Sequence, residues 1–204
     1  MHPSRLIAAL AATAIIGGAG FATISASAET QQTTVLPRST ALATLIDANG
    51  NGVGRARFTQ WGDGPVTVVA RVTVPAGSPE FHGFHVHANA DNVGCLPGTG
   101  FTGVGGHWDV GGNQHGTHSG DLTSLQRRTN GTVETTFRVD KFDVADLIGR
   151  AAVVHAGPDN FGNVPLGTAV NQYTDNGTAY SGTGGTAATG NSGARFACGV
   201  IAQQ

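Results

Sequence analysis

The stretch Val66-Thr67-Val68-Val69-Ala70-Arg71-Val72-Thr73-Val74, closed by Pro75, decides the fold class. Its β-branched residues alternate with a period near two and Arg71 falls on the outward side, the pattern of a strand with one buried face. Similar runs extend in both directions. Upstream, Ala41 to Ile46 and Gly54 to Gln60 flank the hairpin-turn pairs Asn49-Gly50 and Asn51-Gly52. Downstream lie Gly83 to Ala88, Leu122 to Gln126, Val133 to Val139 after the turn pair Asn130-Gly131, Ala151 to His155, and Arg195 to Ile201. The sequence predicts about eight strands in an all-β fold, a Greek-key β-sandwich or barrel. Two connections are far longer than usual, residues 89 to 120 with ten glycines and Ala156 to Gly193; the first is either functional or disordered by its length, and its histidines argue for functional.

Composition narrows the classes further. The 204 residues suffice for one hydrophobic core. Charged residues are only 12% and glycines number 32, which excludes a coiled coil, a long helical bundle and a highly charged disordered chain. Net charge is -2, and the 11 Lys and Arg are scattered without a basic block, so nucleic acid is excluded as a partner.

Residues 1-28 read as a signal peptide: Arg5 supplies the positive n-region, Leu6 through Ile24 carries no charge, and Ala26-Ser27-Ala28 fits a small-residue cleavage site. An uncleaved membrane anchor is the alternative, against which Gly17, Gly18 and Gly20 break the apolar run. No second apolar run follows, so no stable membrane insertion is expected after signal removal. Residues 29-39 are expected to be a flexible leader and 40-204 the folded domain. The expected localisation is secreted, extracellular or at the cell envelope, or periplasmic if the source has an outer membrane. In an oxidising compartment Cys95 and Cys198 form one disulfide, two separate buried thiols being the alternative.

Seven of the eight histidines lie between positions 82 and 155. His85 and His87, two apart on a strand, point to the same face and make half a metal site. His107, His115, His118 and Asp121 fall in a glycine-rich loop with little apolar content, where three nitrogens and one oxygen suit tetrahedral zinc. His155 could complete the first pair as a nitrogen-rich copper site. Asp159 reads either as a carboxylate that orients ligand imidazoles or as a plain turn residue after Pro158.

The string His82-Gly83-Phe84-His85-Val86-His87, then Gly105-Gly106-His107, Gly120-Asp121-Leu122, Val153-Val154-His155-Ala156-Gly157-Pro158-Asp159, and Thr189-Gly190-Asn191-Ser192-Gly193-Ala194-Arg195-Phe196-Ala197-Cys198-Gly199-Val200-Ile201 resembles the copper/zinc superoxide dismutase family of bacterial, exported type. The likeness runs in order over roughly residues 40 to 202. It implies an eight-stranded, immunoglobulin-like Greek-key sandwich with two long functional loops, copper and zinc as cofactors, and superoxide anion as substrate. It also implies copper on His85, His87, His107 and His155, zinc on His107, His115, His118 and Asp121, and His107 shared between the metals. Arg195 is implied beside the copper, where it orients the anion; Asp159 is implied to link a copper ligand to a zinc ligand; Cys95 pairs with Cys198; and His82 matches a structural histidine. A homodimer is compatible with the family.

Three departures stand out. His115 and His118 are only three apart, a shortened zinc segment. Between Ala156 and Arg195 the charged residues are Asp159 and Asp175 alone, so an array of steering charges is not expected there. Trp108-Asp109-Val110 follows His107 where the family often has an aromatic, an amide and a proline. The rival readings are a copper storage or donor module on the same sandwich, which predicts loss of His107 or Arg195, and a zinc hydrolase, which needs an open zinc position. An exported structural sandwich leaves the histidines unexplained.

Overall fold

The computed structural model describes residues 37–164 and 185–204. The signal peptide, most of the leader, Asp175 and the start of the Gly- and Thr-rich stretch 181–190 lie outside the described residues. The described chain carries nine strands: β1 (Arg38–Asp47), β2 (Gly52–Trp61), β3 (Val66–Thr73), β4 (Phe81–His82), β5 (Phe84–His87), β6 (Leu125–Gln126), β7 (Thr132–Val139), β8 (Ala151–His155) and β9 (Arg195–Gln203). Two short helices accompany them, α1 (Val144–Leu147) and α2 (Gly185–Thr189). β1 begins at Arg38, inside the stretch read as leader.

Seven strands form one curled antiparallel sheet in the order β5-β8-β9-β1-β2-β3-β7, and β4 pairs with β6 in a separate ladder. The order is Greek-key-like, because β9 returns to lie between β8 and β1. The strand expected over Gly83 to Ala88 is β5, and just ahead of that stretch the structure adds the two-residue β4, separated from β5 at Gly83. The backbone N–H of Gly83 leaves the sheet to donate to the carbonyl of Gly157 at 2.8 Å, and its carbonyl accepts from the N–H of His155 at 2.8 Å. The β4-β6 ladder and an isolated bridge between Arg127 and Val133 bring the β5 side of the curl towards β7, its other edge.

The alternation read from the sequence is the alternation of burial. Val66, Val68, Ala70 and Val72 of β3 face the core with Ala56 and Phe58 of β2 and Ala41, Ala43 and Leu45 of β1. β8 differs. Ala152 and Val154 join that core, while Ala151 and Val153 face a second, smaller one with Phe101, Val104 and Cys198. A strand covered on both faces explains its unbroken apolar run. Cys95 and Cys198 form a disulfide with a Cα–Cα distance of 5.5 Å, fastening the loop after β5 to the sheet.

Candidate metal centre

β5 is an edge strand, so one row of its backbone groups needs partners from outside the sheet. The long loop that follows supplies them. Trp108 donates its N–H to the carbonyl of Val86 at 2.8 Å, Val86 donates to Gly120 at 2.8 Å, and Ala88 donates to Gly106 at 3.0 Å. This pairing sets His107 opposite His87 and Asp121 opposite His85 as isolated antiparallel bridges. Phe84 and Val86 of β5 fill the core, so His85 and His87 turn to the other face, where the loop covers them: they are 0% and 1% exposed. His155 arrives from the end of β8, next to β5.

The side chains converge in two groups. His85, His87, His107 and His155 form one, and His85, His107, His115 and Asp121 form the other, the donor atoms of each lying within 4.8 Å of one another. His118 falls outside the second group. Its Nδ1 lies 3.3 Å from Oδ1 and 3.2 Å from Oδ2 of Asp121, while its ring centroid is 5.4 Å from that of His107 and 6.1 Å from that of His115. The short spacing accounts for this, because Oδ2 of Asp121 also accepts the backbone N–H groups of His118 at 3.0 Å and Gly116 at 2.7 Å, closing a tight local turn.

The hydrogen bonding assigns the ring protons of the first group. His87 Nδ1 is 2.8 Å from the carbonyl of Gly105, and His155 Nδ1 is 3.0 Å from that of Gly193. A carbonyl only accepts, so both Nδ1 atoms carry protons and, in the neutral rings, both Nε2 atoms present lone pairs. Those two Nε2 atoms lie 3.3 Å apart. Burial, followed by the neighbouring His107 and His155, holds the imidazoles of His85 and His87 well below the usual 6.5, and burial with His107 pushes His155 down to about 3. Burial also lowers His107, against the raising effect of its bond to Asp121. Asp121 is lowered too: burial raises it, but its bond to His107 and the surrounding histidines prevail.

This donor set fits copper and zinc. Neutral, buried nitrogens facing one another are a costly arrangement unless a cation takes their lone pairs. Both ring nitrogens of His85 and of His115, and Oδ1 of Asp159, are buried without a hydrogen-bond partner. The nitrogen-rich group suits copper and the mixed nitrogen and oxygen group suits zinc. His107 belongs to both; its Nδ1 faces Asp121 Oδ1 at 2.9 Å, which leaves Nε2 on the opposite edge of the ring for the first group.

Around the ligands, Asp159 Oδ1 stands 3.0 Å from His85 Nε2 and 3.3 Å from His115 Nε2, at ion-pair distance from both but out of line for a hydrogen bond. Its Oδ2 accepts from the hydroxyl of Ser124 at 3.2 Å. His82 Nδ1 donates to the carbonyl of His155 at 2.8 Å, a support beneath the cluster. The Arg195 guanidinium donates to the carbonyls of Phe101 and Gly105, the latter at 2.6 Å, and lines a cavity of about 520 Å³ with His87, His107 and His155.

Sequence reasoning missed three neighbours. Lys141 donates from Nζ to the carbonyls of His118 and Asp121, each at 3.2 Å. Phe161 stacks on His115 with ring centroids 5.6 Å apart. Gly190, at φ +62, lies so close to the His115 ring that a Cβ would collide with it. Lys141 alone had a signal, being the single lysine of the chain.

A curled Greek-key sheet whose edge strand and loop gather two histidine clusters around a common imidazole defines a dinuclear metalloenzyme of the copper and zinc type. The family described as "Copper/zinc superoxide dismutase (SODC)" matches residues 53–201. The Cu-Zn superoxide dismutase of Mycolicibacterium paratuberculosis is 36% identical over 168 residues, covering 75% of this chain and 70% of the relative. That of Mycobacterium tuberculosis is 36% identical over 174 residues, covering 78% and 68%. A double mutant of a SOD-like protein from Bacillus subtilis shares the fold, with a TM-score of 0.60 at 21% identity over 79% of this chain and 96% of that one. The chain belongs to the copper/zinc superoxide dismutase family. Its two clusters and shared histidine are the metal arrangement of that enzyme.

Proposed function

We propose that His85, His87, His107 and His155 hold copper, and that His107, His115 and Asp121 hold zinc with His118 as the fourth ligand. Both His85 and His107 belong to the two clusters, and the observation that carries the reading is the orientation of His107, whose Nδ1 faces Asp121 Oδ1 at 2.9 Å and whose Nε2 lies on the opposite edge of the ring. Copper bound there supplies the one-electron redox chemistry by which two superoxide anions and two protons become O2 and H2O2. The protein's part is to admit an anion, place it and handle a proton.

Arg195 lines the cavity at the first cluster and, with its guanidinium tethered to two loop carbonyls, presents a fixed positive charge to a small anion. Gly105 accepts from both Arg195 and His87, so one carbonyl registers the anion-binding cation against a copper ligand. His107 Nε2 is the atom suited to hold and release a proton, since its Nδ1 is committed to the Asp121 side. Asp159, between His85 and His115, orients one imidazole of each cluster.

We further propose that the chain is exported, with cleavage after Ala28. In support, the domain contains a disulfide, and no helix among the described residues is long and apolar enough to cross a membrane. The deciding experiment is metal content of the purified protein by plasma mass spectrometry, with superoxide scavenging before and after copper removal. One copper and one zinc per chain, with activity that follows copper, is expected. Copper without activity would establish the carrier reading instead, and activity without zinc would overturn the assignment to His115, His118 and Asp121.

A further inference from the structure

The positive charge that is scattered in the sequence is gathered by the fold. Along β2 the outward side chains are Arg55, Arg57, Thr59 and Trp61, all but Thr59 exposed. Residues two apart on a strand stand about 7 Å from one another and directly opposed residues about 5 Å. The registers place Arg55 opposite Arg71, Arg71 opposite Glu134, and Arg138 of β7 opposite Thr67 of β3. Arg55 and Arg71 are thus like charges at a directly opposed antiparallel position, which destabilises a sheet unless an anion compensates.

The compensation is incomplete. Glu134 is the acid of this grid, and it is divided between Arg71, at 2.8 Å, and Arg128, at 3.5 Å. Arg55, Arg57 and Arg138 make no ion pair among the described residues. Between Arg55, Arg57 and Arg71 lies a hollow of about 200 Å³ floored by Val69. A second, shallow hollow of about 570 Å³ shares Arg55 and Arg71 with it and runs on between Gly52 and Thr132. These strands lie at the opposite end of the sheet order from β5 and β8, so the trough is separate from the metal centre.

We infer that this face binds an extended acidic polysaccharide, its carboxylates set between Arg55, Arg57 and Arg71. Arg55, Arg57 and Arg71 around one hollow, with Arg38 opposite Trp61 at the far end of the same row, fit a chain with repeated charges better than a single free ion. Glu134 already shows that a carboxylate fits the guanidinium of Arg71, which meets it through both Nε, at 3.0 Å, and Nη2. Trp61, on the same row and 48% exposed, carries the guanidinium of Arg38 5.5 Å from its ring centroid, which extends the row of cations along the face.

The test is calorimetric titration of the metal-loaded enzyme with polygalacturonate at two salt concentrations, beside dextran, inorganic phosphate and a DNA oligomer. Binding to polygalacturonate that weakens with salt is expected, with no binding to dextran. Arg55→Thr with Arg57→Thr should weaken it roughly tenfold or more, and Glu134→Gln, which frees Arg71 and Arg128, should tighten it by about threefold, both at unchanged dismutase activity. A gain of affinity cannot come from misfolding, so the second variant guards the first. Equal binding by all three proteins, tighter binding of DNA or phosphate than of polygalacturonate, or no binding at all would overturn the inference.

Discussion

Arg195 and the buried histidines divide the chemistry between a fixed charge and a set of lone pairs, and each makes a separate prediction. Replacing Arg195 by Gln should lower the rate of superoxide removal by roughly tenfold at unchanged copper content, with Lys restoring part of it, read by pulse radiolysis and metal analysis. The histidines act on stability. In the unfolded chain they take up protons near 6.5, whereas in the fold burial holds His85 and His87 well below that value and His155 at about 3. Between those values the unfolded state binds more protons, so stability rises with pH there. Metal-free protein should therefore be most stable above about pH 7 and lose stability progressively as the pH falls below 6.5. Asp121 acts in the same sense, but only as the pH falls below its ordinary 3.8, outside this window. Denaturant melts of the metal-free protein between pH 7.5 and 5 check the sign. A midpoint that does not fall would mean that these imidazoles are already charged in the fold.

At the scale of elements, the metal loop is held from two sides, by the β5 edge and by Lys141 from the segment between β7 and α1. Lys141→Met should remove two bonds to the carbonyls of His118 and Asp121, lowering zinc affinity by roughly tenfold while copper stays bound. Competitive titration with a zinc chelator measures it, and equal affinities would assign the loop's shape to the β5 pairing alone. That pairing also marks where the sequence stops being legible. Most strands were readable from alternation, since a buried face writes every second residue, and the spacing of His85 and His87 followed from the same period. The division at Gly83 was not, because it depends on a backbone bond to Gly157, seventy-odd residues away in the chain. Nor was the exclusion of His118 from the zinc-side group, which follows from the local turn around Asp121. Glycine lacks a side chain to report a neighbour, so the closeness of Gly190 to His115 leaves no trace in the residues themselves.

Across the whole molecule, the Cys95–Cys198 disulfide spans 103 residues and joins the loop that carries Phe101 and Gly105 to β9, which carries Arg195. A closed loop of about 100 residues is worth about 4.7 kcal/mol in the chain-entropy account. Cys95→Ser with Cys198→Ser should lower the melting temperature of the metal-free protein by several degrees and reduce activity through loss of the Arg195 contacts, measured by calorimetry on both forms. The sheet order has one more consequence. β9 is the last strand in chain order, yet it lies between β8 and β1 near the middle of the sheet. Until residues 195–203 have been synthesised, β1 and β8 have no strand to join them and the core cannot close. A nascent chain of this design cannot finish its sheet, or bring Arg195 to the metal cage, until nearly all of it has been made, a delay that the proposed export would exploit.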